Sequence, residues 1–357
     1  MSQIRVCFLG TPEFAVTSLK ALLEDEHFEV VGVVTQPDRP AGRKLSLTPS
    51  PVKVLAQNNG LKVLAPESLK DNRLILDAIK TWGAEIAVVV AFGQILSEEF
   101  MSSFSLGAVN VHASLLPRWR GAAPIQRAIQ YGDLETGVAL QKMVKKLDAG
   151  DIIGIRKTTI PTEMTALELQ DQLAFLGADL LRVDLMDYIR GNLAPVKQNE
   201  ENVLLAKKID KLESEIKWSL SALEIHNQVR ALTMGPGSYT FFEGKKIKIH
   251  KTLWSKESSP RSMKFSTQAD LNSYLSGYKK RQVLAADQNQ IGRILKITEE
   301  ALTIQCGPDP FLSGAGSKEF TELEVIEVQP ESRNKMKIKD FLQGHSLKIG
   351  DKLGAVL

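Results

Sequence analysis

The sequence predicts an α/β chain, a mostly parallel sheet with helices on both faces, followed by a smaller antiparallel β-barrel. Three observations predict it. Short β-rich runs alternate with helical patterns through the first half. Strand-like runs separated by turns fill the second half. Between them, residues 192–206 (NLAPVKQNEENVLLA) are polar and carry a proline. At 357 residues, 43% apolar and 24% charged, the chain is long enough for two domains. Its composition excludes a disordered, collagenous or coiled-coil protein.

In chain order, residues 4–9 (IRVCFL) form a short strand that ends at Gly10. Phe14, Leu19, Leu22 and Leu23 then recur at helical spacing over 14–23, and 30–34 is a second strand. A weaker run at 63–64 and a helix over 74–79 precede 85–92, which reads as a fully buried strand; 108–112 and 138–144 are two more. The layout is Rossmann-like. Its first strand–helix turn, Gly10-Thr11-Pro12-Glu13-Phe14, lacks G-x-G-x-x-G, which argues against a nicotinamide or flavin dinucleotide. Beyond the polar stretch, a helix over 222–232 precedes strands at 238–242, 245–253, 291–297, 302–306 and 322–328. Residues 255–270, rich in Ser and Lys, read as a surface insertion.

The net charge of +3 is uneven. Residues 1–207 carry 22 Lys and Arg against 24 Asp and Glu, whereas 208–357 carry 23 against 18. The second part is therefore the surface better suited to a polyanion. The longest apolar stretch, residues 86–92, is far shorter than the roughly 20 residues of a membrane-spanning helix. MSQIRVCFLG reaches Gly10 without a signal-peptide core, so the expectation is a cytoplasmic chain with no membrane partner. Cys7 and Cys306 are too far apart to suggest a disulfide framework or a metal knuckle.

The most unusual strand is Ala108-Val109-Asn110-Val111-His112. Alternation puts Asn110 and His112 on one face and the two valines on the other. An amide and an imidazole on a buried strand are costly unless they have partners, so they are either a satisfied core pair or a working site. The following loop, residues 114–124, holds two prolines, a glycine, Arg118, Trp119 and Arg120. It is a rigid ligand wall or an ordinary connection to a helix starting at Pro124. Asp148 and Asp151 follow the 138–144 run, as turn residues or, for one of them, as a partner that fixes the His112 tautomer. No G-x-S-x-G elbow occurs and neither cysteine has a base beside it, so a covalent nucleophile is not evident. His27, His226, His250 and His345 lack ligand spacing, and no metal is expected.

Residues 110–125 (NVHASLLPRWRGAAPI), with Leu147-Asp148-Ala149-Gly150-Asp151 downstream, resemble the 10-formyltetrahydrofolate-dependent formyltransferases. So do 10–15 (GTPEFA), 35–43 (TQPDRPAGR), 49–53 (PSPVK), 206–209 (AKKI) and 216–219 (IKWS), a set closest to the branch acting on methionyl initiator tRNA. The likeness is dense over roughly residues 3–250 and implies a formyl-transfer domain at 1–190, a linker at 191–207 and an oligonucleotide-binding-type (OB-like) barrel at 208–357 that holds tRNA. It implies Asn110, His112 and Asp148 as the catalytic groups. 10-Formyltetrahydrofolate, the co-substrate, is placed along Ser114, Leu115, Leu116 and Pro117, with its pterin near Gln94, Ile95 and Leu96. tRNA contacts fall on Arg43 and Lys44 in the 38–49 loop, and on Lys208, Lys246 and Lys248. On a strand, Lys246, Lys248 and His250 share one face with Ile247 and Ile249 inward, a pattern a plain solvated strand shares. The resemblance implies direct attack through a tetrahedral intermediate, by a monomer, for translation initiation. The alternatives are a formyltransferase acting on a sugar-nucleotide amine and a non-catalytic RNA-binding protein with a relic domain.

Overall fold

The apolar runs of the first half line up into one sheet. The computed structural model describes residues 3–41, 46–70, 72–254, 265–283, 290–310 and 320–354. Two units emerge, one of residues 1–121, 136–158 and 170–203, the other of 122–135, 159–169 and 204–357. The sheet of the first unit contains β1 (Ile4–Gly10), β2 (Phe28–Val34), β3 (Val63–Leu64), β4 (Ile86–Val90), β5 (Ala108–His112), β6 (Glu135–Lys142) and β7 (Ile152–Thr159). Their spatial order is β3-β2-β1-β4-β5-β6-β7. The strands from β3 to β5 are parallel neighbours. β6 runs antiparallel to β5, setting Gln141 opposite Asn110 and Ala139 opposite His112. Its direction is a finding of the structure, because an apolar run packs equally well either way.

The first unit's helices include α1 (Glu13–Glu24), α2 (Pro51–Asn58), α3 (Arg73–Lys80) and α4 (Glu98–Ser102). α2 starts where Ser50 accepts the Lys53 N–H, with Pro51 in the first turn. One sheet face carries Cys7, Leu9, Ala87, Val89 and Ala108, packed with Leu76 and Ile79 of α3 and Phe100 and Met101 of α4. Further along β5 that same face turns polar, at Asn110 and His112. On the opposite face, the Ala166–Ile189 helix settles over Val111 and Val138 through Gly177, where a Cβ would lie 2.8 Å from a Val111 methyl.

In the second unit the strands Ser238–Phe242, Lys245–Leu253, Phe320–Pro330, Leu302–Pro308 and Ile294–Ile297 lie side by side in that order, paired antiparallel. Register shifts in three of these pairings bend the sheet toward a barrel-like form. Ile225, Val229, Ile247, Ile249, Ile304, Val325 and Phe341 fill its core. The Ala222–Ala231 helix starts with a capping box between Ser221 and Glu224. Of the Ser- and Lys-rich stretch 255–270, residues 255–264 lie outside the described residues, and its last three begin a helix, Gln268–Val283, that the sequence pattern does not announce.

His226 in this unit is buried, accepting from the Thr252 hydroxyl at Nδ1 and donating to the Thr162 carbonyl at Nε2, both at 2.9 Å. Burial pushes its pKa from 6.5 to about 4; the Thr162 bond opposes this and the Arg230 charge adds to it. Between those values the unfolded chain binds the proton and the folded chain does not, so stability is lost as pH falls from about 6.5 to about 4. The expected loss is on the order of 3 kcal/mol. Melting curves across that range should be flatter for His226→Gln, and an unchanged slope would refute the assignment.

Candidate active site

The polar end of β5 is organised by two loops. His112 is buried, and its Nε2 donates to the Trp119 carbonyl at 2.9 Å. Trp119 fixes that carbonyl: its side chain is 1% exposed and its φ is +62°. The second loop, after β6, folds back onto the face that carries Asn110, His112 and Gln141. Its Asp148, also left-handed at φ +49°, accepts the Gly121 N–H on Oδ2 at 2.9 Å and the Gln141 Nε2–H on Oδ1 at 3.1 Å. Oδ1 then stands 3.7 Å from His112 Nδ1, close enough to act on the ring's charge and too long for a direct hydrogen bond. Residues held at positive φ cost free energy and persist where the surroundings over-determine them, as the two acceptor bonds do for Asp148. Asn110 is half-buried, and among the described residues its carboxamide has no partner.

Asn110, Gln141 and Asp148 line a cavity of about 210 Å³. Its remaining walls include Ile95, Leu96, Met143, Val144 and Leu147, with Ile95 87% and Leu147 67% exposed at the rim. Polar groups converging inside apolar lips suit a small organic ligand. Of the predicted folate residues, Gln94, Ile95 and Leu96 line this cavity. The Gln94 carboxamide is spent elsewhere, accepting the Leu69 N–H at 2.8 Å and donating to the Pro66 carbonyl at 3.1 Å. Thr11 and Gln36 hold the same loop by donating to the Phe92 carbonyl at 3.2 and 3.1 Å. Ser114, Leu115, Leu116 and Pro117 are not part of the lining. Ser114 is buried with its hydroxyl donating to the Arg118 carbonyl at 2.6 Å, and Leu116 is buried too.

Gln141 is absent from the sequence-predicted set, although a lone amide in the apolar run 138–144 is a usable signal. Arg43 and Lys44 lie outside the described residues, between Arg39–Ala41 and Ser46–Thr48, which pair as an antiparallel ribbon. In the second unit Lys208 is exposed, and Arg127 donates to its carbonyl at 3.2 Å and to that of Lys207 at 3.0 Å. Lys248 is exposed, and Lys246 is half-buried with its ammonium 3.6 Å above the Tyr239 ring. Ile247 and Ile249 point into the core, as alternation requires.

Cys7 and Cys306 are buried thiols whose pKa values burial pushes up, and the Ser114 hydroxyl is committed. The polar strand end offers an amide for a developing oxyanion and an imidazole–carboxylate pair for moving a proton, which suits group transfer between two bound molecules without requiring a covalent intermediate. The family model described as "Formyl transferase" matches residues 4–183, and "Formyl transferase, C-terminal domain" matches 208–346. The chain belongs to the formyl transferase family. It is 58% identical over 354 residues to Methionyl-tRNA formyltransferase of Bdellovibrio bacteriovorus, across 99% of this chain and 100% of that one. Against Methionyl-tRNA formyltransferase of Caldanaerobacter subterraneus subsp. tengcongensis it is 39% identical, across 97% and 99%. Among solved structures, a sugar 3N-formyl transferase in the presence of dTDP and 5-N-formyl-THF superposes with a TM-score of 0.59 at 20% identity, covering 94% of this chain and 100% of that one. At that identity the likeness is one of fold. Among the described residues no helix is long and apolar enough to cross a membrane.

Proposed function

We propose that this protein transfers the formyl group of 10-formyltetrahydrofolate to the α-amine of methionyl initiator tRNA, as a cytoplasmic monomer serving translation initiation. The observation that carries the reading is the meeting of His112, Asp148 and the unpartnered Asn110 amide on one sheet face beside the lipped cavity. Likeness to methionyl-tRNA formyltransferases along nearly the whole chain supports the acceptor. In this reading residues 1–190 carry the chemistry, 191–207 connect, and 208–357 hold the tRNA.

An α-amine titrates at about 7.7–8.0, so a useful fraction is neutral and nucleophilic at working pH. Asn110 donates to the formyl oxygen as charge develops on it, the role of an oxyanion-hole amide. His112, anchored at Nε2 by Trp119, has Nδ1 for proton transfer to the departing nitrogen. Asp148 stabilises the charged ring and takes up the amine's proton through water. In this reading the cavity of about 210 Å³ takes the head of the folate, with Ile95 and Leu147 at its rim. The rest of the folate runs outside it, along Ser114 to Pro117. Phosphates of the tRNA meet Lys208, Lys246 and Lys248; Arg43 and Lys44, which lie outside the described residues, are the further tRNA contacts that the resemblance implies.

The deciding assay is formyl transfer from 10-formyltetrahydrofolate to methionyl initiator tRNA, with methionyl elongator tRNA and an amino-sugar nucleotide as controls. Activity on the initiator species alone is the expected result; transfer to the amino sugar instead would overturn it. Lys246→Glu with Lys248→Glu should raise the KM for tRNA and leave that for folate unchanged. The slope of log affinity against log salt should shrink by about 1 for each phosphate that is no longer neutralised.

A further inference from the structure

Residues 191–207 show only polarity and a proline in the sequence, yet part of this stretch is bonded into the active face. Val196 and Ile152 exchange N–H···O bonds of 2.8 Å in both directions, laying the chain along β7. Two residues on, both ends of the Gln198 carboxamide are in use. Nε2 donates to the carbonyls of Asp148 at 2.9 Å and Gly150 at 2.7 Å, with a longer approach of 3.3 Å to Gln141 Oε1. Oε1 accepts from Arg120 Nε at 3.0 Å and Nη2 at 2.8 Å. The Arg120 guanidinium is buried, and its Nη2 also donates to Glu200 Oε1 at 2.8 Å. The other Glu200 oxygen accepts from Lys146 at 2.6 Å. These bonds, Arg120's foremost, hold the Glu200 carboxyl down to about 2, so this flank stays ionised at working pH.

One amide therefore joins the two loops that make the site: the 145–150 loop that presents Asp148, and the Trp119–Arg120 turn whose carbonyl anchors His112. We propose that Gln198 is a positioning residue for Asp148. By capping the Asp148 and Gly150 carbonyls it holds that loop in its left-handed turn, with the carboxylate aimed at His112 and Gly121. Gln198 is not among the residues that line the cavity, so it acts through Asp148. Its activity arm rests on the formyl-transfer reading above, and its structural arm does not.

Gln198→Met keeps the length and removes both donors; Gln198→Glu keeps an acceptor for Arg120 and sets a carboxylate against two carbonyl oxygens. Both variants should lose about 10- to 100-fold in kcat, the usual cost of loosening a supporting shell, with KM for either substrate within about twofold. Introduced into Asp148→Asn, the same Gln198→Met change should cost less than about twofold, because the residue it positions no longer works. The Gly121 amide, which donates to Asp148 Oδ2, should exchange hydrogen faster in Gln198→Met than in the parent. An unchanged kcat in the single variants, an equal loss in both backgrounds, or unchanged Gly121 exchange each overturns the proposal. If the parent protein shows no formyl transfer, the functional reading is what fails, and the Gly121 exchange rate alone decides the placement of Gln198.

Discussion

Asp148→Asn is expected to lower the kcat of formyl transfer by about 10²–10³ without unfolding the protein. Asparagine is isosteric and its Oδ1 still accepts the Gly121 N–H that Asp148 accepts now. The negative charge is lost. In its place an amide faces either the Gln141 Nε2–H or His112 Nδ1, both of which Asp148 Oδ1 now approaches, at 3.1 and 3.7 Å. The size of the effect discriminates between roles. A neutral hydrogen bond contributes about 0.5–1.5 kcal/mol net, roughly a three- to tenfold effect. Removing one group preorganised to stabilise charge that develops in the transition state costs about 2.7–4 kcal/mol. The side chain is only 11% exposed, so water does little to screen it. Single-turnover rates with saturating donor and acceptor, read beside melting curves, separate the two cases. His112→Ala should fall by a similar factor, and near-parental turnover in either variant would refute the catalytic assignment.

The parts of this site that the sequence makes legible are those where local chemistry violates a local rule. Asn110 and His112 stand out because a buried strand resists polar residues, and alternation alone puts them on one face. Lys246 and Lys248 follow from the same period of two. Strand direction is illegible by that logic: the apolar run of β6 serves equally well parallel or antiparallel, yet its reversal is what brings Gln141 across from Asn110. Gln198 is hidden for a different reason. Its partners lie 48 to 78 positions away in sequence, and a polar composition reads as linker whether or not the amides are used. The Gln268–Val283 helix is obscured by the Ser and Lys content before it. Its anchor is aromatic, with the Tyr274 and Phe265 rings each standing edge-on to Tyr131, and no spacing rule predicts that meeting.

Gly150→Ala is expected to damage turnover and stability together, which sets it apart from the Asp148 substitution. A Cβ on Gly150 would lie 1.7 Å from the Lys142 carbonyl oxygen and 2.8 Å from its carbon, so the obstacle is main chain and cannot swing aside. The neighbouring backbones cannot simply part, because the Lys142 N–H donates to the Asp151 carbonyl at 3.0 Å. Relief requires a shift of about an ångström or more, and it falls on a loop whose Asp148 works only in one place. A displacement of that size in a catalytic group typically costs about 10²-fold in rate. Breaking the hairpin bond and the Gln198 bond to the Gly150 carbonyl should add a destabilisation of about 2–3 kcal/mol. Gly344→Ala is the matched control, since nothing lies within 4 Å of its added carbon. If Gly150→Ala melts and turns over like that control, then the Lys142 carbonyl does not fix the loop, and the support for Asp148 comes from Gln141, Gly121 and Gln198.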